Sequence, residues 1–170
     1  MKTRILLIAL FLIPIVSTFA ENGWQNAKWG MSVAEVQQLF PTAKTVSPPS
    51  QYEQKGAKYQ CHLRLLGYEL IGRDFFVDFL FDSDAMLAGT IVGTPIEEGS
   101  MEMKYKNLKE LLAQKYGQPT GIESRDGGDT VVWLKEQTEI RLNYLVISAV
   151  GYSGIRLIYL KQQTDALDKL

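Results

Sequence analysis

The sequence predicts an α+β chain: two helix-plus-three-strand units whose strands form antiparallel sheet or sheets, with both helices packed on one face. Three observations lead there. An amphipathic segment with a clear cap opens at Ser32, and a second runs from Ser100 to Lys115. Six later or intervening segments alternate apolar and polar residues, as half-buried strands do. Tight turn residues separate consecutive strands, which favours antiparallel pairing. A six-stranded closed barrel is the main alternative.

The first helix is the best marked. Ser32-Val33-Ala34-Glu35 is a capping box: the Ser32 hydroxyl can accept from the Glu35 amide while the Glu35 carboxylate reaches back. Val36, Leu39 and Phe40 share one helical face, and Pro41 stops the helix. Residues 42–56 hold Pro48-Pro49 and several Ser, Thr and Gln without periodicity, so they read as a long loop with Tyr52 as a candidate anchor. Tyr59, Cys61, Leu63 and Leu65 then alternate with Gln60, His62 and Arg64, and Gly67 invites a bulge before Tyr68 to Ile71. Phe75, Val77, Phe79 and Phe81 alternate with Phe76, Asp78 and Leu80 in the strongest strand signal. On that pattern Phe79→Ala is expected to be costly and Asp78→Ala cheap, because Asp78 falls on the opposite, solvent side. Met86 to Val92 forms the return strand.

The second cycle repeats the architecture without repeating the residues. Tyr105, Leu108, Leu111, Leu112 and Tyr116 line one side of its helix, and Gly117 with Pro119 ends it. Arg125 to Asp129 is turn chemistry. Thr130–Lys135, Glu139–Ile147 and Gly154–Lys161 follow as strands.

The first 20 residues read as a secretory signal peptide. Lys2 and Arg4 precede the apolar run Ile5–Val16, and small residues at Thr18 and Ala20 mark the exit. The run is shorter than the roughly 20 apolar residues of a membrane-spanning helix. Residues 1–20 are therefore expected to be cleaved after Ala20, leaving 21–170 as one α+β domain in the periplasm or outside the cell. No cysteine follows the cleavage point, so lipidation is not indicated.

Composition narrows the function. The 170-residue chain carries one cysteine, one histidine and a net charge of −1. That excludes a disulfide scaffold, a cysteine zinc site and a multi-histidine metal centre. It also gives no basic footprint for nucleic acid. Gly151-Tyr152-Ser153-Gly154 lacks the final glycine of a nucleophile elbow and lies between strands, so it reads as a turn. Cys61 and His62 are strand neighbours and point to opposite faces, which argues against a thiol nucleophile. The carboxylate pairs Asp82/Asp84, Glu97/Glu98 and Asp126/Asp129 sit in turns, where Asp mostly bonds its own backbone. Asp126 and Asp129 could offer oxygens to calcium, but no EF-hand pattern surrounds them. No catalytic residue, cofactor or metal is expected.

Five residues stand out as candidate binding groups. Trp24 and Trp29 precede the first helix in a stretch poor in other apolar residues, and serve either as a core plug or as interface anchors. Tyr52 anchors the long loop. Arg141 and Arg156 fall on one face of neighbouring strands and could form an anion-binding patch.

Trp29-Gly30-Met31-Ser32-x-x-Glu35-Val36 resembles the opening of small secreted bacterial proteins of uncharacterised function, and Lys115-Tyr116-Gly117-Gln118-Pro119 resembles the end of their second helix. The repeated helix-plus-meander is also similar to the β-lactamase-inhibitory proteins and to small outer-membrane-assembly lipoproteins, although the lipidated cysteine of the latter is missing. The resemblance implies a periplasmic or secreted accessory or binding domain with an envelope or secreted protein as partner, without a membrane span after cleavage. The alternatives are a small hydrolase using His62, or an inhibitor of another secreted enzyme.

Overall fold

The computed structural model describes residues 22–125 and 127–162. The signal segment, its cleavage point after Ala20 and Asp126 lie outside the described residues.

A short hairpin, β1 (Gly23–Trp24) with β2 (Ala27–Lys28), leads into α1 (Val33–Leu39). Four strands follow as a meander: β3 (Lys44–Gln54), β4 (Ala57–Leu70), β5 (Arg73–Phe81) and β6 (Leu87–Gly93). After the two-residue β7 (Glu97–Glu98) comes α2 (Glu102–Tyr116). A second meander closes the chain: β8 (Gly121–Arg125), β9 (Gly128–Lys135), β10 (Thr138–Ile147) and β11 (Tyr152–Lys161). The two meanders join through their last strands, giving one antiparallel sheet of order β3-β4-β5-β6-β11-β10-β9-β8, with β7 pairing onto β11.

This overturns the expected α+β class. Of the described residues 58% are strand and 18% helix, with only two α-helices, and the antiparallel sheet dominates them. The reason is one of dimensions. At 1.5 Å per residue, α1 is about 10 Å long and α2 about 22 Å. The eight-strand path is about 34 Å wide at the usual strand spacing. Helices of that size cannot form a layer over it. They contribute the buried side chains Val36, Tyr105, Leu108 and Leu112 to a core built mainly by strands.

Each helix is followed by a four-strand meander instead of three strands, and Glu97 and Glu98, expected in a turn, form the additional short strand β7 against β11. Residues 44–54, expected as loop, are the edge strand β3. Its register with β4 breaks between Thr45 and Ser50, where Pro48 and Pro49 lie. Proline removes a ladder donor, and an irregular edge strand tolerates that loss. Strand β8, also missed, is the opposite edge, and Gly121-Ile122-Glu123-Ser124-Arg125 has no apolar alternation to announce it.

The capping box forms as expected. Glu35 N donates to Ser32 Oγ at 3.4 Å, and Ser32 N donates to Glu35 Oε2 at 2.8 Å. Gly117 ends α2 at φ 84°, a backbone region open to glycine. Leu111 departs from the expected apolar side of α2 and is exposed. Ser153, in the rejected elbow, is buried: its hydroxyl donates to Gly99 O at 2.7 Å and accepts from Met101 N at 3.0 Å, tying down the start of α2.

The sheet has two apolar faces. The larger cluster gathers Leu63, Phe75, Val77, Phe79 and Phe81 with the central residues Leu142 and Leu157 and the helices. The smaller, on the other face, gathers Tyr59, Cys61, Leu80, Ile91, Ile158 and Leu160. Cys61 and Leu63 fall on different faces because the β4–β5 register shifts between them: Cys61 pairs with Leu80, but Leu63 pairs with Phe79. The turn between β3 and β4 reaches back over the second face, where Lys55 pairs with Glu139 of β10. Four strand spacings separate β4 from β10 along the sheet, so this contact requires the sheet to coil.

Candidate functional site

The face away from the helices carries a cluster of charged side chains. Its centre is Asp78, fully buried in β5 between Val77 and Phe79. Strand alternation sends it to the side opposite Phe79. That side is not solvent, so the expected cheap substitution at Asp78 is corrected. Arg64 grips both carboxylate oxygens, Nε on Oδ1 and Nη2 on Oδ2 at 2.7 Å. Tyr52 donates its hydroxyl to Oδ2 at 2.6 Å. Tyr52 is thus a strand residue tied to the sheet, and burial, followed by its bond to Asp78, pushes its hydroxyl up to about 12.

Phe76 lies on the same face, two residues along β5. Its ring sits above Gly93 of β6, where a Cβ would stand 2.7 Å from Cζ. Glycine on this central strand therefore makes room for the ring. The Arg64 and Arg156 guanidinium carbons lie 5.2 and 5.4 Å from the ring centre, within cation–π range. The ladder puts Phe76, Gly93, Arg156 and Asn143 in one row across β5, β6, β11 and β10. Arg141 is diagonal to Arg156 on the same face and pairs with Glu139, which also takes Lys55. Burial opposes the Glu139 carboxylate, but the hydrogen bonds from Lys55 and Arg141 outweigh it and hold the pKa below the usual range.

Arg156 differs from the other two arginines. Among the described residues its contact is with the Phe76 ring, with no carboxylate partner. Opposite it, the buried Asn143 Oδ1 has no hydrogen-bond partner. Leu134, Ile147, Tyr152 and Ile96 are exposed, with Ile147 and Tyr152 paired further along the same strands and Leu134 opposite Glu139. The arrangement offers a cation held by an aromatic, an amide and an apolar surround.

The two tryptophans lie elsewhere. Trp24 is buried, with its ring edge-on to Tyr68 and Phe79 and tilted against Phe40, so it is a core residue. Trp29 is half-buried and donates from Nε1 to Thr138 Oγ1 at 3.0 Å, tying the N-terminal segment to β10. The structure therefore brings Tyr52, Arg141 and Arg156 to one face and separates them from Trp24 and Trp29. The residues missed were Arg64, Phe76, Asp78 and Glu139. One signal was available: an aspartate between Val77 and Phe79, inside a strand of four phenylalanines, has to be paired if that strand is central.

His62 Nε2 lies 3.1 Å from Gln60 Oε1, and its ring meets the edge of Phe81. Among the described residues no carboxylate hydrogen-bonds it. Cys61 is buried, its thiol pushed up to about 12 by burial first and by Asp78's charge second. No group of metal-ligating side chains occurs among the described residues. No described helix is long and apolar enough to cross a membrane.

Fold and site together define the class: a sheet-dominated antiparallel chain with a helix-free face bearing arginines. No family model, curated protein or solved structure matches it.

Proposed function

We propose that the chain is an exported, non-enzymatic binding domain that docks an acidic segment of an envelope or secreted protein on its helix-free sheet face. The observation that carries this reading is Arg156. A guanidinium stacked on an aromatic, without a carboxylate of its own, is ready for a carboxylate from a partner. Exposed Ile147, Tyr152 and Leu134 supply the apolar contact such a surface needs. Arg64 contributes position more than charge, because Asp78 already neutralises it.

The hydrolase reading is weaker on geometry, since among the described residues no carboxylate hydrogen-bonds His62 to orient it. The inhibitor reading is a special case of the proposal in which the docked segment belongs to an enzyme.

The test is capture from an envelope extract by residues 21–170 and by two variants. Arg156→Glu reverses the proposed contact, and Lys58→Glu makes the same charge change at an exposed position elsewhere. The reading expects a partner that the parent and Lys58→Glu retain, that Arg156→Glu loses, and that rising salt releases. Equal capture by all three overturns it.

A further inference from the structure

Arg156 and Asn143 stand directly opposite each other on β11 and β10, with both side chains on the helix-free face. Each has an unmet need. The Arg156 guanidinium lies 5.4 Å from the centre of the Phe76 ring and, among the described residues, meets no carboxylate. Asn143 Oδ1 is buried and accepts no hydrogen bond. A buried acceptor left open is costly, so it calls for a donor. Together the pair suits a ligand that carries a carboxylate and an N–H side by side. Asp78 and Glu139 already hold cations of their own, Arg64 for the one and Lys55 with Arg141 for the other. Glu123 shares the row but lies three strand spacings, about 14 Å, from Arg156.

From this pair an apolar strip runs along the same two strands. Leu145 and Gly154 come two residues on, and Ile96 is seated over Gly154, where a Cβ would stand 3.2 Å from Ile96 Cγ1. Exposed Ile147 and Tyr152 come two residues further, about 13 Å from the pair. Glu98 stands opposite Tyr152 at that far end, which disfavours an acid there and leaves the Arg156 end for the charge of the ligand.

We infer that the docked segment is the C-terminal end of its protein. Its terminal carboxylate meets Arg156, its last amide N–H meets Asn143 Oδ1, and the apolar residues before it lie along Leu145, Ile147 and Tyr152. This deepens the binding-domain reading and rests on it. A terminal residue carries carboxylate and amide on one Cα, which suits two side chains whose Cβ atoms stand about 5 Å apart across a ladder. A side-chain carboxylate has further rotatable bonds to fix on binding. Asn143 as a residue is part-buried and its last torsion is soft, so a turn of the amide brings Oδ1 to the ligand.

The experiment titrates residues 21–170 with acetyl-glycyl-leucyl-valyl-phenylalanine as the free acid. NMR follows the Arg156 Nε–H, the Asn143 side-chain amide and the Ile147 methyls. Three companion peptides are the C-terminal amide, an ester analogue that lacks the last N–H, and an amidated peptide with aspartate in place of valine. The inference expects a saturable response to the free acid at all three sites, and binding about tenfold weaker or more for each companion. Asn143→Leu replaces an unpaired polar group with an apolar one of similar size, and in that variant the free acid and the ester should bind alike. If the amidated aspartyl peptide binds as tightly as the free acid, the inference is overturned and the binding-domain reading stands, because Arg156 then takes a side-chain acid. Equal binding of ester and free acid to the parent overturns the inference as well. So does the lack of a saturable response at Arg156 to either carboxylate peptide, and the capture experiment then decides the binding-domain reading separately.

Discussion

Asp78 shows how far a single side chain can depart from its pattern. Alternation alone places it outward, yet it is fully buried, and its charge is met by Arg64 and Tyr52. Asp78→Ala removes the acceptor of three hydrogen bonds, and Arg64→Ala leaves a buried carboxylate without its cation. Breaking a buried pair costs about 3–5 kcal/mol. Phe79→Ala, which empties a buried aromatic site on the other face, costs about the same. We expect urea unfolding midpoints for Arg64→Ala and Phe79→Ala to fall by similar amounts; a near-parental midpoint for Arg64→Ala would contradict the buried pair. Glu139 makes a pH prediction. Its pKa is held below the usual value, so its contribution is present above the unfolded carboxylate value of about 4.3 and is lost as pH falls through the lower folded value. Glu139→Gln should therefore flatten the acid limb of stability below about pH 4.3, measured as melting midpoint against pH.

At the scale of elements, caps and turns behave as local chemistry dictates. The Ser32–Glu35 box satisfies amides that the first turn of α1 would otherwise leave open. Ser32→Ala should cost about 0.5–2 kcal/mol, read from the melting midpoint, and Ser32→Asp should restore most of it. Strands are less local. β3 carries two prolines and still pairs, because it is an edge and its irregular stretch falls where the prolines lie. The same prolines interrupt the edge against pairing with another chain. In β4 the shift between Cys61 and Leu63 hands one apolar residue to each face, and that division allows both clusters to form.

For the whole molecule, the decisive feature is the junction of β6 with β11. It unites the two meanders into one sheet, with Ile91 paired to Ile158 at its centre and Val92 to Leu157 beside them. The larger cluster draws Trp24, Phe79 and Val92 from one half and Leu108, Leu142 and Leu157 from the other. Separated halves would expose these residues and the long edges of β6 and β11. We expect residues 22–96 and 97–162, expressed apart, to lack a cooperative unfolding transition by circular dichroism and to regain one when mixed. Cooperative unfolding of either half alone would show that the shared core is not needed.

What the sequence determined by itself was what depends on near neighbours. The cap at Ser32, the end of α2 at Gly117, the turn after Phe81 and the burial of Phe75, Val77 and Phe79 follow from residues a few positions apart. Periodicity also placed Arg141 and Arg156 on a common face, because their strands are joined by a short connection. The tertiary structure decided the rest. It made edge strands of β3 and β8, whose composition reads as loop, because pairing energy comes from the neighbouring strand. It set the dominance of the sheet over the helices, which depends on how many strands join through β6 and β11. It also buried Asp78, since the pairing of β4 and β3 alongside β5 sets Arg64 directly across from it and Tyr52 one strand further on. Long-range contacts of this kind leave no periodic mark in the chain, and a charge inside an apolar strand is the one local trace they left.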